Sequence, residues 1–277
     1  MTSTEPSGVW ATAVGVARIR AMESRREQAL FHDPLAAAFA VAGGLSLQPG
    51  TVQRDEAARR RWGGVAVSIV IRTRFLDDLL TEAAGAGCRQ VVLLGAGMDS
   101  RAYRLDWPRG TRLFELDTAE PLGFKESVLR AEGALPRCER HPVAVDLRDD
   151  WPAALAAAGH DPALPTAWIA EGLLIYLPQD DVQRLLERIG ELSAPGSRMG
   201  LTLGSQQTLE RFGQDRGTPA DMWVSVMPDD PVAWLADLGW TAETFTVRER
   251  AAAYGRPVEH PGPAPQGPGG LVSAVRH

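Results

Sequence analysis

The chain has 277 residues, of which 44% are hydrophobic, and its formal net charge at pH 7 is −6. This length and composition allow a sizeable core in one large domain, or in one domain with an appendage. The acidic balance argues against nucleic acid as the main partner, because phosphate binding requires a dense basic surface. The two cysteines, Cys88 and Cys138, form neither a disulfide framework nor a zinc site, so we expect no bound metal.

The first residues are polar and lack the basic and then apolar pattern of a signal sequence. The apolar-rich run Val65–Ile71 is too short to span a bilayer. These features predict a soluble, cytoplasmic protein that does not bind membranes.

The N-terminal region, residues 1–84, is predicted to form a helical cap without a clear strand. Within it, Asp33-Pro34 has the form of a helix N-cap followed by proline at the first helical position. The predicted helices of this region are Ala11–Met22, Leu35–Val41 and Ser68–Ala84.

Residues 85–277 show alternating strands and helices, which predict a mostly parallel sheet with right-handed crossovers. Only a loop rich in proline and glycine is predicted between the last two strands, so we expect these two to be antiparallel. The fold class is therefore α/β, with a seven-stranded sheet that ends in an antiparallel strand. The predicted strands are Gln90–Leu94, Arg112–Leu116, His141–Val145, Ala167–Ala170, Arg198–Leu203, Thr241–Arg248 and Gly270–Val275, and the main helices are Thr118–Glu132, Trp151–Ala158, Gln179–Leu192 and Pro231–Leu238.

The segment at about residues 205–230 interrupts this pattern. It carries large apolar side chains among polar residues and glycines, namely Phe212, Met222, Trp223 and Met227. We expect it to join the N-terminal helices as a cap over an acceptor pocket, within one compact unit. A peripheral helix packed on the sheet is the alternative.

The most informative stretch is Val91–Ser100 (VVLLGAGMDS), in which a buried strand leads into a turn formed by Gly95, Ala96 and Gly97. The next strand ends in a carboxylate at Asp117, and both strand ends should lie at the crevice where a nucleoside cofactor binds. The glycines allow a tight turn and close approach of a ligand. Asp117 can accept hydrogen bonds from a ribose diol.

Asp99 and Ser100, which follow the turn, distinguish between nucleoside cofactors. Ser100 occupies the position where a dinucleotide site has a third glycine. Asp99 would repel a pyrophosphate but suits a cofactor with an ammonium group, although it can also cap the following helix. S-adenosylmethionine carries a sulfonium and an ammonium and no phosphate, so the turn favours this cofactor.

Two further strand ends carry acids. Asp146 follows the third strand and can accept from an adenine amino group, while the backbone N–H of Leu147 donates to a ring nitrogen; helix capping is the alternative. Glu171 follows the fourth strand, where a partly buried carboxylate requires a partner. This partner is a cofactor ammonium or an arginine, such as Arg72 or Arg74.

These motifs together resemble those of the leucine carboxyl methyltransferase family, and most closely its actinobacterial branch of S-adenosylmethionine-dependent methyltransferases. The similar stretches are Arg20–Pro34, Ile71–Asp78, Gln90–Leu105 (QVVLLGAGMDSRAYRL), Phe114–Asp117, Val145–Leu147 and Glu171–Pro178 (EGLLIYLP). The resemblance covers roughly residues 10–205 and implies the Rossmann-like fold of class I methyltransferases. It matches only loosely beyond Gly204.

The resemblance also implies roles for single residues. Arg72 matches the arginine that pairs with the cofactor carboxylate, and Arg74 is close enough in sequence to replace it. The N-terminal lysine of the eukaryotic members has no clear counterpart, and Arg20 is the nearest basic residue. The resemblance further implies that Gly95 forms the cofactor-binding turn and that Asp117 contacts the ribose. Asp146 and Leu147 would contact the adenine, and Glu171 would contact the amino group of the cofactor.

The methyl acceptor is expected to be a carboxylate, which is ionised at pH 7 and needs cationic anchors rather than a general base. The candidate anchors in the cap are Arg20, Arg25, Arg26 and Arg59–Arg61, of which the last group can also be a solvated helix face. A hydroxyl acceptor would usually require a base such as histidine. None of the five histidines directly follows a central strand, and His32 in the cap is the one candidate. Tyr176 can hydrogen-bond an acceptor or pack in the core.

The sequence thus predicts an S-adenosylmethionine-dependent O-methyltransferase that acts on the carboxylate of a small metabolite, with Arg20 and Tyr176 as candidates for positioning the acceptor. A phenol or alcohol hydroxyl, or the C-terminal carboxylate of a peptide or protein, is an alternative acceptor. A nicotinamide-dependent oxidoreductase and a non-catalytic cofactor-binding protein are alternatives of another class. The sequence does not predict the oligomeric state.

Overall fold

The structure is a computed structural model that describes residues 8–48, 56–204, 222–226, 228–257 and 270–277, with the backbone alone for residues 56–62. The strands in these ranges are β1 (Gln90–Leu94), β2 (Arg112–Asp117), β3 (Glu139–Ala144), β4 (Thr166–Ala170), β5 (Arg198–Thr202), β6 (Trp240–Phe245) and β7 (Leu271–Arg276). The helices are α1 (Gly8–Ser24), α2 (Ala36–Ala42), α3 (Glu56–Gly85), α4 (Arg101–Arg104), α5 (Ala119–Ala131), α6 (Trp151–Ala157), a 3-10 helix (Leu174–Tyr176), α7 (Gln179–Glu191), α8 (Pro231–Asp237) and α9 (Val247–Ala253).

The seven strands form one sheet in the order β3-β2-β1-β4-β5-β7-β6. The pairs from β3 to β5 are parallel, and β7 pairs antiparallel with both β5 and β6. The predicted Rossmann-like sheet with an antiparallel last strand is therefore confirmed, with that strand inserted between β5 and β6. The strand order reverses between β1 and β4, and ligands of open parallel sheets bind at such a point.

Both faces of the sheet are covered by helices. Side chains alternate along a strand, so that Val91 and Leu93 of β1 face one core while Val92 and Leu94 face the other. The first core is closed by α1, α2, α3, α5 and α9, and the second by α6, α7 and α8. Burial on both faces explains why β1 and β4 are continuous apolar runs.

The N-terminal helices follow the predicted pattern. Asp33 caps α2, because its Oδ1 accepts hydrogen bonds from the backbone N–H groups of Leu35 and Ala36, at 3.2 and 3.0 Å. Helix α3 is longer than the predicted Ser68–Ala84 and continues back to Glu56. No helix in the described ranges is long and apolar enough to cross a membrane.

The prediction for the segment between β6 and β7 was wrong. The strand predicted to reach Arg248 ends at Phe245, and the short helix α9 follows instead of a loop alone. Its N-terminus is a capping box, in which Thr246 Oγ1 accepts from the Glu249 N–H at 3.1 Å and Glu249 Oε2 accepts from the Thr246 N–H at 2.7 Å. This local pairing ends the strand. The predicted cap segment at about 205–230 lies mostly outside the described residues.

Candidate cofactor site

Three of the predicted site residues meet at the carboxyl edge of the sheet. Strand β1 pairs in parallel with β2 on one side and with β4 on the other. The residues that follow β1 and β4, Gly95 and Glu171, therefore emerge at the same edge as Asp117, the last residue of β2. These strands flank the point at which the strand order reverses.

Asp117 holds the glycine turn. Its Oδ2 accepts a hydrogen bond from the Gly97 N–H at 2.7 Å, and its Oδ1 accepts one from the Thr118 N–H at 2.8 Å. Burial raises the pKa of the Asp117 carboxyl, against the opposing effect of these two hydrogen bonds. Each carboxylate oxygen accepts one hydrogen bond here and has capacity for another, so the group can still accept from a ligand hydroxyl.

The turn requires its two glycines. Gly95 and Gly97 have φ angles of +62° and +42°, a region that other residues rarely adopt. A Cβ atom at Gly95 would lie 2.9 Å from Leu173 Cδ1, and a Cβ atom at Gly97 would lie 2.9 Å from Ala13 Cβ. Two apolar side chains, one from the segment before the 3-10 helix and one from α1, thus cover the turn.

Glu171 has two arginine partners. Its Oε1 accepts from Arg72 Nε at 3.0 Å, and its Oε2 accepts from Arg101 Nη2 at 2.8 Å. Burial would raise the pKa of Glu171, but the charges of the two arginines outweigh this effect and lower it. The sequence predicted a partner for this acid, and the structure adds Arg101 to the candidates.

Arg72 and Arg74 point to different parts of the molecule. The two terminal nitrogens of Arg72 lie 3.1 and 3.3 Å from the position that a Cβ atom of Gly172 would take, beside the end of β4. Within the described ranges these nitrogens have no hydrogen-bond partner. Arg74 instead donates to Asp78 at 2.8 Å and lies 5.3 Å from the ring centre of Tyr254. Of the two arginines, Arg72 is the one at the strand ends.

A buried group of charges lies beneath the turn and was not predicted from the sequence. Arg101 is fully buried and donates to Asp77, Asp99 and Glu171. Arg104 donates to Asp77 through both terminal nitrogens, at 2.6 and 2.7 Å. The only signal in the sequence was two arginines directly after the turn and an aspartate within an apolar helix. Neither observation identifies which charges pair.

Asp99 is part of this group. Burial would raise the pKa of Asp99, but the neighbouring cations, Arg101 first, outweigh it and lower the pKa to about 2. Its Oδ1 also accepts from the Arg101 N–H at 2.7 Å, at the start of α4. The predicted capping contact is therefore present, and the carboxylate also pairs with a cation of the chain itself.

Asp146 and Leu147 follow β3 at the same edge. Asp146 accepts from Arg148 Nε at 3.0 Å and Nη2 at 2.6 Å, and hydrogen bonding to Arg148 lowers the pKa of the Asp146 carboxyl. Leu147 is half-buried, and Arg148 is exposed. Asp146 and Leu147 lie at the edge of the sheet where a nucleoside base is expected. Their predicted contacts with adenine stay predictions.

The candidates for positioning the acceptor lie on either side of the turn. Arg20 is 3% exposed, pairs with Asp33 at 3.1 Å and donates to the Met98 carbonyl, so its charge is already engaged. The hydroxyl of Tyr176 lies 3.5 Å from Thr12 Oγ1 of α1. Arg25 and Arg26 are exposed. The side chains of Arg59–Arg61 lie outside the described residues.

Three histidines lie away from the carboxyl edge. His160 is buried near the start of β4, at the opposite edge, and hydrogen-bonds Thr166 Oγ1 at 3.0 Å. His141 stacks on Phe114 with ring centres 5.0 Å apart. His277 follows the end of β7, which also lies at the opposite edge. His32 is exposed in the cap, and His260 lies outside the described residues.

Comparisons with known proteins agree on the family. The family model of the leucine carboxyl methyltransferases matches residues 13–190. A protein of Frankia alni, named as an inferred S-adenosyl-L-methionine-dependent methyltransferase, is 71% identical over 98% of this chain and 96% of its own length. A protein of Streptomyces coelicolor with the same type of name is 68% identical over 98% of this chain and 97% of its own length.

Solved structures share the fold. The crystal structure of a DUF574 family protein from Streptomyces avermitilis matches with a TM-score of 0.59 and 16% identity, over 94% of this chain and 97% of that one. The crystal structure of a protein from Thermobifida fusca, named as an inferred methyltransferase, matches with a TM-score of 0.51 and 18% identity, over 94% of this chain and 93% of that one. The family match and the two relatives establish an enzyme that uses S-adenosylmethionine. The chain belongs to the leucine carboxyl methyltransferase family.

Proposed function

We propose that this methyltransferase transfers a methyl group to a carboxylate oxygen of a small metabolite. The observation that carries the proposal is the position of the four histidines in the described residues: His141, His160 and His277 lie in the packing of the sheet or at its opposite edge, and His32 is exposed in the cap. A carboxylate acceptor is ionised at pH 7 and does not require such a base. The family's own description as carboxyl methyltransferases also supports a carboxylate.

The residues at the carboxyl edge fit S-adenosylmethionine. The terminal nitrogens of Arg72, which have no hydrogen-bond partner among the described residues, would pair with the cofactor carboxylate. Glu171 has one acceptor position left on each oxygen, which would receive the cofactor ammonium. Asp117 would accept from the ribose hydroxyls above the turn that it holds. One cationic donor and two carboxylate acceptors therefore match a zwitterionic amino acid joined to a nucleoside.

The chain's own contribution to the reaction is positioning. When bound, S-adenosylmethionine supplies an electrophilic methyl group on a sulfonium. Holding an acceptor oxygen in line with that group can lower the barrier by several kcal/mol without any proton transfer. Leu173 and Ala13 place apolar side chains against the turn. Tyr176, whose hydroxyl lies beside Thr12 of α1, would orient an acceptor that enters between α1 and the 3-10 helix.

The experiment is a methyl-transfer screen with S-adenosylmethionine that carries a radiolabelled methyl group. The acceptors are small carboxylic acids, each matched by a phenol or alcohol of similar shape, and a short peptide with a free C-terminal carboxylate. Mild alkali releases labelled methanol from a methyl ester but not from a methyl ether, so the product reports the acceptor group. We expect alkali-labile label from the acids. Alkali-stable label from the hydroxyl compounds would contradict the proposal. Label on a peptide C-terminus alone would mean that the acceptor is a peptide and not a small metabolite.

A further inference from the structure

Arg101 joins three parts of the chain: helix α3, the residues after the glycine turn and the residues after β4. Its Nε donates to Asp77 of α3 at 2.7 Å, its Nη1 donates to Asp99 after the turn, and its Nη2 donates to Glu171 after β4 at 2.8 Å. The residue itself is fully buried. A planar guanidinium with donors in fixed directions holds three carboxylates in one arrangement, which lysine cannot do.

Glu171 transmits this arrangement to Arg72. One carboxylate oxygen accepts from Arg101 and the other accepts from Arg72 Nε at 3.0 Å. The orientation of the carboxylate therefore fixes the guanidinium of Arg72, whose remaining nitrogens lie against Gly172. A side chain at Gly172 would fill this space, so the lack of one leaves room for the Arg72 guanidinium beside β4.

Arg104 provides a natural comparison within the same group of charges. Its side chain is 3% exposed, it follows the same turn, and it donates two hydrogen bonds to Asp77. It makes no contact with Glu171 or Arg72. Loss of Arg104 thus disturbs the buried charges without breaking the connection from Arg101 through Glu171 to Arg72.

We propose that Arg101 is a positioning residue for the amino-acid part of the cofactor. It contacts no reacting atom, but it holds Glu171 and, through Glu171, Arg72 in the orientation that receives the cofactor ammonium and carboxylate. The inference rests on the proposed roles of Arg72 and Glu171. It predicts that Arg101 affects ligands that carry the amino-acid part and leaves binding of the nucleoside part unchanged.

The test compares two ligands by calorimetry: S-adenosylhomocysteine and 5′-methylthioadenosine, which has the same nucleoside without the amino-acid part. In Arg101→Lys and Arg101→Gln, affinity for S-adenosylhomocysteine should fall by about 10- to 100-fold, as for loss of a charge-assisted contact. Affinity for 5′-methylthioadenosine should change by less than about twofold, because this ligand lacks the amino-acid part that Arg72 and Glu171 would receive. Arg104→Lys and Arg104→Gln are the matched controls and should leave the ratio of the two affinities as in the wild type.

Equal losses for the two ligands, or an unchanged ratio in folded Arg101 variants, would overturn the proposal. So would failure of both Arg101 variants to fold while the Arg104 variants fold, because that result would assign Arg101 to stability alone. Failure of the underlying assignment looks different. In that case the wild-type protein itself would not prefer S-adenosylhomocysteine over 5′-methylthioadenosine.

Discussion

The carboxylate of Asp117 accepts a hydrogen bond from the backbone N–H of Gly97 at 2.7 Å. The last residue of β2 thus fixes the turn that follows β1, and the expected ribose contact and the shape of the turn depend on one side chain. Asp117 is also buried enough that its pKa is raised. Substitutions at this residue should therefore affect both the ligand and the backbone beneath it.

Asp117→Ala should weaken binding of S-adenosylmethionine by about 1–3 kcal/mol, because the ribose loses its acceptor and the Gly97 N–H loses its partner. Asp117→Asn should cost less, since the amide oxygen can still accept from Gly97. Calorimetric titration measures both effects. An unchanged affinity in the alanine variant would remove Asp117 from the site.

Arg72→Ala should weaken S-adenosylmethionine binding by about 1.5–3 kcal/mol through loss of a charged contact. Arg74→Ala is the matched control, because Arg74 lies two residues away in the same helix and pairs with Asp78 instead. It should change the affinity little. The opposite order of effects would show that Arg74, and not Arg72, reaches the cofactor.

His160 should make the protein sensitive to acid. Burial, assisted by Arg112, lowers the pKa of His160 from 6.5 to about 4. Between these values the unfolded chain binds a proton that the folded chain does not, so the free energy of unfolding falls as pH decreases from about 6.5 to about 4. The loss is about 3 kcal/mol.

The check is urea unfolding at several pH values for the wild type and His160→Gln, whose amide can still pair with Thr166. The difference in unfolding free energy between the two proteins should be constant above about pH 7, where the histidine is neutral in both states. As pH falls to about 4, the free energy of unfolding of the wild type should decrease relative to that of His160→Gln. Parallel curves over the whole range would contradict the pKa shift.

Lys125 should be important for stability. It pairs with Glu115 at 2.7 Å, and neither side chain is exposed. Lys125→Met would leave Glu115 with Arg140 as its remaining cation, at a cost of about 3 kcal/mol, near the lower end for breaking a buried pair. Arg137→Met, which breaks the exposed pair with Asp106, should cost less than about 1 kcal/mol. Equal costs by urea unfolding would contradict this account.

Much of the fold could be predicted because local signals agree with the tertiary structure. The apolar runs that form β1 and β4 are buried on both faces, and each is bounded by turn residues or an acid. Helix α9 shows the limit of this reasoning. Phe245 and Val247 continue an apolar pattern at the end of β6, which predicts a longer strand. The capping box between Thr246 and Glu249 instead starts a helix at Val247 and ends the strand.

The site was predictable only where residues are fixed by strand ends. Gly95, Asp117 and Glu171 follow from the sheet, since parallel strands end at one edge. The pairing of Arg101 with Asp77 and Glu171 joins residues 24 and 70 positions apart. No periodicity encodes such a contact, because it depends on how α3 and α4 pack together. Arg72 and Arg74 lie two residues apart on α3 and therefore point in different directions. Which of them faces the end of β4 depends on how α3 packs on the sheet.

The most direct test of the cofactor site is calorimetric titration of the wild-type protein with S-adenosylmethionine, with reduced nicotinamide dinucleotide as the comparison. The arrangement of Arg72, Asp117 and Glu171 predicts micromolar binding of S-adenosylmethionine and none of the dinucleotide. Binding of the dinucleotide alone, or of neither ligand, would contradict the assignment of these three residues to the cofactor.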